Sequence, residues 1–131
     1  MDYKLIAKKA IEDFKKGDIT STLSAMDENI VWINPNAPEV PFALSVKGRN
    51  NVAVFFSKFA ETAEVSRFDI DNYIQEGNKV VSWGSYDAKA RSTGKAFTTP
   101  IIMTWEFNPE GKCTHWQAYT NTSEQAKAYI K

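Results

Sequence analysis

Apolar residues at helical spacing predict two helices at the start of the chain. The first begins at Tyr3 and ends before Gly17, because glycine readily takes the left-handed conformation that closes a helix. Asp18 can cap a second, shorter helix through its side-chain oxygen. A turn at Asp27–Asn29 then leads into an extended segment. One side of the second helix carries the apolar residues Ile19, Leu23 and Met26.

The extended segment, Ile-Val-Trp-Ile-Asn-Pro from Ile30 to Pro35, is the predicted first strand and the centre of the candidate site. Because side chains alternate across a strand, Trp32 and Asn34 lie on the same face. The amide of Asn34 would then be a polar group in a mostly apolar surface, and small-molecule pockets are typically built in this way. A proline-rich loop, too apolar for a plain linker, follows as far as Gly48.

The remainder of the chain predicts one long amphipathic helix and an antiparallel meander. The helix begins with Asn50 or Asn51 as its cap and ends near Glu64. A brief last helix starts at Thr122 or Ser123. Alternating apolar residues between glycine-containing turns predict strands over residues 68–75, 80–90, 96–107 and 113–121.

Helices followed by a meander predict an α+β fold, in which residues 1–131 form one domain with helices packed on one face of a curved sheet. The other sheet face needs a cover as well, because its large side chains would form an exposed apolar patch. We therefore expect a homodimer through that face. Its predicted residues are Trp83, Ile102, Thr104, Gln117 and Tyr119.

Composition and charge narrow the range of partners. Sixteen basic residues balance sixteen acidic ones and neither kind forms a long block, so we predict no nucleic-acid or membrane partner. No segment has the length of a membrane span, and lysines interrupt the apolar spacing at the N-terminus, so a cytoplasmic location is expected. Aromatic residues make up 13% of the chain, which is more than a core this small needs and favours a lined cavity or an interface.

Cysteine and histidine each occur once, as Cys113 and His115. An internal disulfide and a closed zinc site are therefore excluded, and we predict no metal and no cofactor, although composition alone leaves an all-carboxylate metal site open. Histidine is the side chain whose unperturbed pKa lies near neutrality, which makes it a candidate general base, but strand alternation places His115 on the predicted dimer face with Gln117 and Tyr119. Cys113 is expected to be a small buried residue without a catalytic role.

Seven short motifs follow one another along nearly the whole chain. They are Phe14-x-x-Gly17-Asp18, Val31-Trp32-x-x-Pro35, Lys47-Gly48-Arg49 before Phe55-Phe56, Gly77-Asn78-Lys79-Val80-Val81, Thr93-Gly94-Lys95-x-Phe97, Trp105-x-Phe107 with Gly111-Lys112, and Tyr119-x-Asn121-Thr122. In this order the motifs resemble the nuclear transport factor 2-like superfamily, in particular its SnoaL-like and ketosteroid-isomerase-like members. The resemblance implies a cone-shaped α+β fold, with three helices on the concave face of a strongly curved mixed sheet.

The isomerases that the chain resembles use an aspartate base before the proline of the first strand, a tyrosine on the first helix and a protonated aspartic acid on a later strand. The corresponding positions here hold Asn34, about Ala10 and about Met103. An amide takes no proton from carbon at neutral pH, and alanine and methionine supply no strong donor, so the isomerase mechanism is not predicted. Asn121 likewise stands where the SnoaL-like pattern Tyr-x-Asp-Thr has an aspartate, which argues against cyclase-type chemistry.

Candidate ligand contacts come from the inward-facing rings and from polar groups beside them. Tyr86 and Trp105 are the strongest candidates, because a buried hydroxyl or indole N–H must find a partner. Asn34 either hydrogen-bonds a ligand or caps the turn at Pro35-Asn36, and a plain core role competes for most of the rings. The predicted ligand-pocket residues are Trp32, Asn34, Phe55, Phe59, Tyr86, Met103, Trp105 and Trp116.

These observations predict that the chain binds a small, flat and mostly apolar molecule, with no catalytic residue assigned. The alternative is a SnoaL-like enzyme, an isomerase, cyclase or hydrolase, that acts on a polyketide-like or carbonyl substrate. A macromolecular adaptor is a third alternative, which no feature of the sequence favours.

Overall fold

Four helices and six strands make up the computed structural model, which describes all residues from 1 to 131. The helices are α1 (Tyr3–Lys15), α2 (Ile19–Ser24), α3 (Arg49–Thr62) and α4 (Thr122–Tyr129). The strands are β1 (Met26–Ile33), β2 (Val46–Lys47), β3 (Ala63–Glu76), β4 (Lys79–Ala90), β5 (Ala96–Phe107) and β6 (Cys113–Thr120).

The six strands form one sheet in the order β2-β1-β6-β5-β4-β3. β1 and β6 are parallel, whereas all other neighbouring strands are antiparallel. α1 packs against β3 and β4, α3 packs against β1, and α2 contacts both of these helices. The predicted α+β fold, with helices on the concave face of a curved mixed sheet, is confirmed. None of the helices combines the length and the apolar character that crossing a bilayer requires.

Aspartates cap the first two helices. Asp2 Oδ1 accepts a hydrogen bond from the backbone N–H of Leu5 at 3.2 Å, and Asp18 Oδ1 accepts one from that of Ser21 at 3.1 Å. Each carboxylate satisfies a backbone donor that has no partner inside its helix. The predicted cap at Asp18 is therefore confirmed.

The second helix is shorter than predicted. α2 ends at Ser24, and Met26, predicted on its apolar side, is the first residue of β1. Pairing across the sheet decides this boundary, because Met26 lies beside Cys113, whose backbone N–H donates to Ala25 O at 2.8 Å. Residues 27–29, predicted as a turn, lie in β1, where the register with β6 is irregular.

The third helix and the strand after it also differ from prediction. α3 begins at Arg49, before the predicted asparagine caps, and Gly48 is its N-cap at φ 93°, a left-handed value that suits glycine. α3 ends at Thr62, because Ala63 is already extended and begins β3 well before the predicted start at residue 68.

Two smaller corrections concern the loop and the last helix. The segment Val46–Lys47, predicted as part of the loop, pairs with β1 as a short antiparallel strand. The cap of α4 is Asn121, whose Oδ1 accepts from the backbone N–H of Glu124 at 3.3 Å, and not Thr122 or Ser123. Asparagine suits this position because its side-chain oxygen reaches the free N–H groups of the first turn.

The central strands separate two faces of opposite character. Along β5, buried residues alternate with exposed or half-buried ones from end to end. Ile101, Met103 and Trp105 lie on the inner face, whereas Ile102 and Thr104 lie on the outer face. The two-residue period is the one that the sequence predicts.

Gly84 lets β3 and β4 approach closely where β3 carries an extra residue. The pairing skips Asp71, which forms a β-bulge between Ile70 and Asn72. A methyl group on Gly84 would lie 1.8 Å from the backbone oxygen of Asp69. Only glycine fits here unless one strand of the pair moves.

Gly84→Ala is expected to lower the free energy of unfolding by about 1–3 kcal/mol, because the added methyl group pushes the two backbones apart. Urea denaturation followed by tryptophan fluorescence measures this change. The control is Ser66→Ala, an exposed substitution in the same hairpin, which should alter the free energy by no more than about 0.5 kcal/mol. A Gly84→Ala variant as stable as the control would contradict the close approach.

Candidate functional site

A cavity lies between the helices and the inner face of the sheet. About 70 Å³ of it is open to the centres of water-sized molecules, and 15 of its 19 lining residues are hydrophobic. The fold brings all the predicted ligand-pocket residues to this wall, while their role in binding stays a prediction. They are Trp32, Asn34, Phe55, Phe59, Tyr86, Met103, Trp105 and Trp116.

The wall contains further residues that were not predicted as pocket residues. Four of them share a helix or strand with a predicted pocket residue, namely Met26, Phe56, Ile101 and Thr120. Another four lie on α1 and β3, where no pocket residue was predicted: Ala10, Ile11, Phe14 and Phe68. Thr22 on α2, Phe42 in the loop and Gln125 on α4 reach the cavity only through tertiary packing. The added residues are Ala10, Ile11, Phe14, Thr22, Met26, Phe42, Phe56, Phe68, Ile101, Thr120 and Gln125.

Two stacked tryptophans form part of the wall. Trp32 on β1 and Trp116 on β6 are partners in the parallel register, and their rings stack with centroids 3.7 Å apart and planes inclined by 13°. Phe55 and Phe56 pack on Trp32 with centroid separations of 5.3 and 5.4 Å. Trp105 meets Trp116 edge-on at 6.5 Å. The tilted and edge-on contacts of Phe55, Phe56 and Trp105 favour one fixed arrangement of the rings.

The polar groups of Tyr86 and Trp105 already have partners. The Trp105 indole Nε1 donates to Ser82 Oγ at 2.9 Å, and the Tyr86 hydroxyl donates to Gln125 Oε1 at 3.1 Å. Both residues were predicted as ligand contacts because a buried hydroxyl or indole N–H needs a partner. Both polar groups are hydrogen-bonded within the protein, so the parts of these side chains that face the cavity are mainly their rings.

Gln125 connects the last helix to the cavity. Its side chain is fully buried, its Nε2 donates to Thr120 Oγ1 at 2.7 Å, and its Oε1 accepts from Tyr86 and from Asn36 Nδ2, each at 3.1 Å. A buried amide with three side-chain partners holds α4 in one orientation. The buried residues of α4 are Gln125 and Ala128, whereas Ile130, just after the helix, is exposed.

Asn34 lies in the wall and is 6% exposed. Its Nδ2 donates to Phe42 O at 2.8 Å, which holds the loop after β1 against the cavity. The capping alternative for Asn34 is wrong, because at the turn of Pro35-Asn36 it is Asn36 Oδ1 that accepts from the backbone N–H of Ala37. Asn34 Oδ1 has no donor within the chain and is free to accept a hydrogen bond.

Two indole N–H groups of the wall lack any partner. Trp32 and Trp116 are 3% and 6% exposed, and Nε1 of each is buried without a hydrogen bond. A buried donor without a partner is unfavourable, and folded proteins contain few of them. Both donors belong to the stacked pair.

No carboxylate, lysine, arginine or histidine lines the cavity. Burial raises the pKa of the Tyr86 hydroxyl above its usual range, so this group stays neutral. Burial also raises the pKa of Cys113, which lies outside the wall, to about 12. His115 is exposed on the outer face, with its Nδ1 3.9 Å from Glu106 Oε2. No three His, Cys, Asp or Glu side chains come together closely enough to hold a metal ion.

The family model of the SnoaL-like domain matches residues 7–116 of this chain. The chain belongs to this family. Among solved structures, an NTF2-like protein from Burkholderia xenovorans LB400 is 23% identical, with a TM-score of 0.87 over 98% of this chain and 95% of that chain. A suggested polyketide cyclase from Pseudomonas putida KT2440 is 15% identical, with a TM-score of 0.82 over 98% of each chain. TerC, co-crystallized with polyporic acid, is 17% identical, with a TM-score of 0.83 over 97% of each chain.

At these identities the structural likeness shows the fold alone. The family model confirms the resemblance to the SnoaL-like members of the nuclear transport factor 2-like superfamily, and the structural neighbours confirm the fold. Among proteins with curated descriptions, none matches the chain in sequence.

In this SnoaL-like domain, the three positions predicted to match the catalytic groups of the isomerases meet at one place. Ala10, Asn34 and Met103 all line the cavity, and none of them is an acid or a base. Asn121 does not line it, because its Oδ1 caps α4. An aspartate would make the same cap, so the amide at Asn121 carries no information about chemistry in the cavity.

Asn34→Asp is expected to destabilise the fold, and more so as the pH rises. The carboxylate would be buried beside Phe42 O, and desolvation would raise its pKa above the ordinary value of about 3.9. Below that value the acid is protonated in the folded and unfolded states, and the penalty is small. Above it the folded state keeps a proton that the unfolded state has lost, so the free energy of unfolding falls, by about 1–3 kcal/mol at neutral pH.

Unfolding of wild type and variant from pH 4 to 8 measures this dependence. Asn50→Asp is the matched control, because Asn50 is exposed in the first turn of α3, where a carboxylate is neutral or slightly favourable. Equal stability of Asn34→Asp and wild type at every pH would mean that this side chain is not buried in the wall.

Proposed function

We propose that this SnoaL-like protein binds a small, flat and mostly apolar molecule in the cavity, without acid–base catalysis of the isomerase type. The observation that carries the proposal is the wall itself, which consists mainly of packed rings and contains no carboxylate, histidine or lysine. Such a wall favours neutral cyclic ligands over charged ones, since burying an unpaired charge is costly.

The volume of the cavity limits the size of the ligand. Small-molecule sites typically enclose about 300–1,000 Å³. The space between the lining residues amounts to about 650 Å³ when its solvent-open part is included, yet only about 70 Å³ admits the centres of water-sized molecules. A thin ring system lying against the aromatic side chains uses such a narrow space best.

Two structural relatives support an organic ligand within this fold. TerC was co-crystallized with polyporic acid, and the Pseudomonas putida relative is a suggested polyketide cyclase. The alternative function, a SnoaL-like isomerase, cyclase or hydrolase acting on a polyketide-like or carbonyl substrate, requires a base that this wall does not supply. Turnover of a β,γ-unsaturated ketone by the wild type would favour that alternative and locate the base elsewhere.

Indanone, a flat bicyclic ketone, is expected to change the tryptophan fluorescence of the wild type and to raise its melting temperature, because a ligand of the folded state stabilises it. Ile101→Phe fills part of the cavity and should weaken binding by about tenfold or more. Ile102→Phe is the matched control, since the neighbouring residue lies on the outer face and the change should leave binding unaltered. Failure of the wild type to bind, or equal binding by both variants, would contradict the proposal.

We also propose a homodimer through the outer face of the sheet. Side chains of β4, β5 and β6 that lie opposite one another form rows across this face. Two rows lie at its centre, and a third row of charged and polar residues borders them. Protein interfaces often have such an apolar core with a polar rim. Ile102 and Tyr119 are 43% and 49% exposed in the single chain. The central rows are Trp83, Ile102 and Tyr119, then Val81, Thr104 and Gln117, and the bordering row is Lys79, Glu106 and His115.

Ile102→Glu should convert the dimer into a monomer, because a two-fold interface brings the same patch of both copies together and buries both new carboxylates. Light scattering at micromolar concentration measures the mass. Val54→Glu, which replaces an exposed apolar residue of α3, is the control and should remain a dimer. A wild-type particle of 14.8 kDa, the mass of one chain, would refute the homodimer.

A further inference from the structure

The last helix, α4, closes part of the cavity wall through Gln125. This side chain is fully buried and lines the cavity. Its hydrogen bonds join α4 to Tyr86 on β4, to Thr120 on β6 and to Asn36 in the loop after β1. Because Gln125 belongs to the wall, a movement of α4 away from the sheet would open the cavity at this point.

Few apolar contacts attach α4 to the rest of the protein. Its buried residues are Gln125 and Ala128, so only one small apolar side chain of the helix is buried. The partly buried Tyr129 packs its ring on two phenylalanines and donates its hydroxyl hydrogen bond to the end of α3. The helix α3, by contrast, buries a valine and three phenylalanines. Detaching a helix costs more when it exposes more apolar area, so α4 is easier to detach than α3.

The two ends of α4 are held differently. At its start, the backbone N–H of Asn121 donates to Oγ1 of the fully buried Thr99 at 2.8 Å. At its far end, two donors come from the turn between β4 and β5: Thr93 Oγ1 donates to Ala128 O, and Lys95 Nζ donates to the carbonyl of the C-cap residue. The last carbonyl groups of a helix have no partner within it, and water can replace either donor. The start is thus fixed in the interior, whereas the far end can be released.

We propose that α4 is the gate of the cavity, which pivots at Asn121 so that its far end leaves the sheet and a ligand enters beside Gln125. Closing restores the hydrogen bonds of Gln125 and encloses the ligand. The open state exposes mainly polar groups, which water can hydrogen-bond, so it costs less than unfolding of the whole domain. This inference rests on the proposed binding function and adds the route by which the ligand reaches the cavity.

Amide hydrogen exchange measures the opening without any ligand. The hydrogen-bonded amides of α4 should exchange at least about tenfold faster than those of α3, which are released only when the core unfolds. Lys95→Met removes one bond at the far end and should speed exchange in α4 alone by about 2- to 10-fold. Lys89→Met is the matched control, because this lysine is exposed on the same hairpin and forms no hydrogen bond with α4. It should leave the exchange of α4 unaltered.

Stopped-flow fluorescence with indanone measures entry and release. Lys95→Met and Thr93→Val each weaken the closed state at the far end of α4, and neither residue lines the cavity. The association and dissociation rate constants should both rise by about 2- to 10-fold. The affinity should stay the same, because opening precedes entry and release alike and the closed state still predominates. Thr98→Val removes a hydroxyl bonded to Asp87 on the same hairpin and should leave both rate constants unaltered.

The outcomes separate the gate from the function on which it rests. If indanone does not bind the wild type, the proposed function and the gate are refuted together. If indanone binds but α4 exchanges no faster than α3, or the rate constants of Lys95→Met equal those of the wild type, only the gate is refuted. A weaker affinity of Lys95→Met with an unchanged association rate would also refute it, because Lys95 would then stabilise the bound state without controlling entry. If this variant does not fold, wild-type exchange and Thr93→Val decide.

Discussion

The parallel pairing of β1 with β6 is the contact on which the rest of the structure depends. It joins the helical first part of the chain to the meander, and it sets Trp32 beside Trp116. The same pairing moves Met26 out of the second helix, because Cys113 offers it a strand partner. Because these strands lie far apart in sequence, their contact carries a loop-closure cost that the buried rings must offset.

The sheet has two different faces because its side chains alternate. Along β5, Ile101 and Met103 line the cavity, while Ile102 and Thr104 lie on the outer face. A shift of one residue in the pairing would exchange the two sets, so the cavity and the outer patch depend on the same register. The bulge opposite Gly84 absorbs an extra residue in β3 and lets the remaining pairs keep their register.

Local periodicity accounts for most of what could be predicted. The alternation of apolar and polar residues shows which side of a strand or helix faces inward, so the sequence predicts that Trp32, Asn34 and the other pocket candidates face the cavity. Met26 marks a limit, since its spacing fits a helix and only a distant strand places it elsewhere. Gln125 marks another, because nothing in a short polar helix indicates that an amide will be buried with Tyr86. The roles of these side chains in binding stay predictions, since no local pattern specifies a ligand.

The wall shows how this fold keeps a cavity that no acidic or basic side chain lines. A carboxylate at position 34 would be desolvated among rings, and its charge would have to be stabilised by other groups. The amide of Asn34 needs no such support, and its bond to Phe42 O holds the neighbouring loop in place. The side-chain atoms of the wall without a hydrogen-bond partner are the indole nitrogens of Trp32 and Trp116 and the amide oxygen of Asn34. These groups donate or accept hydrogen bonds without exchanging a proton. A wall of this composition is suited to holding a neutral molecule, and any proton transfer would need a group from outside it.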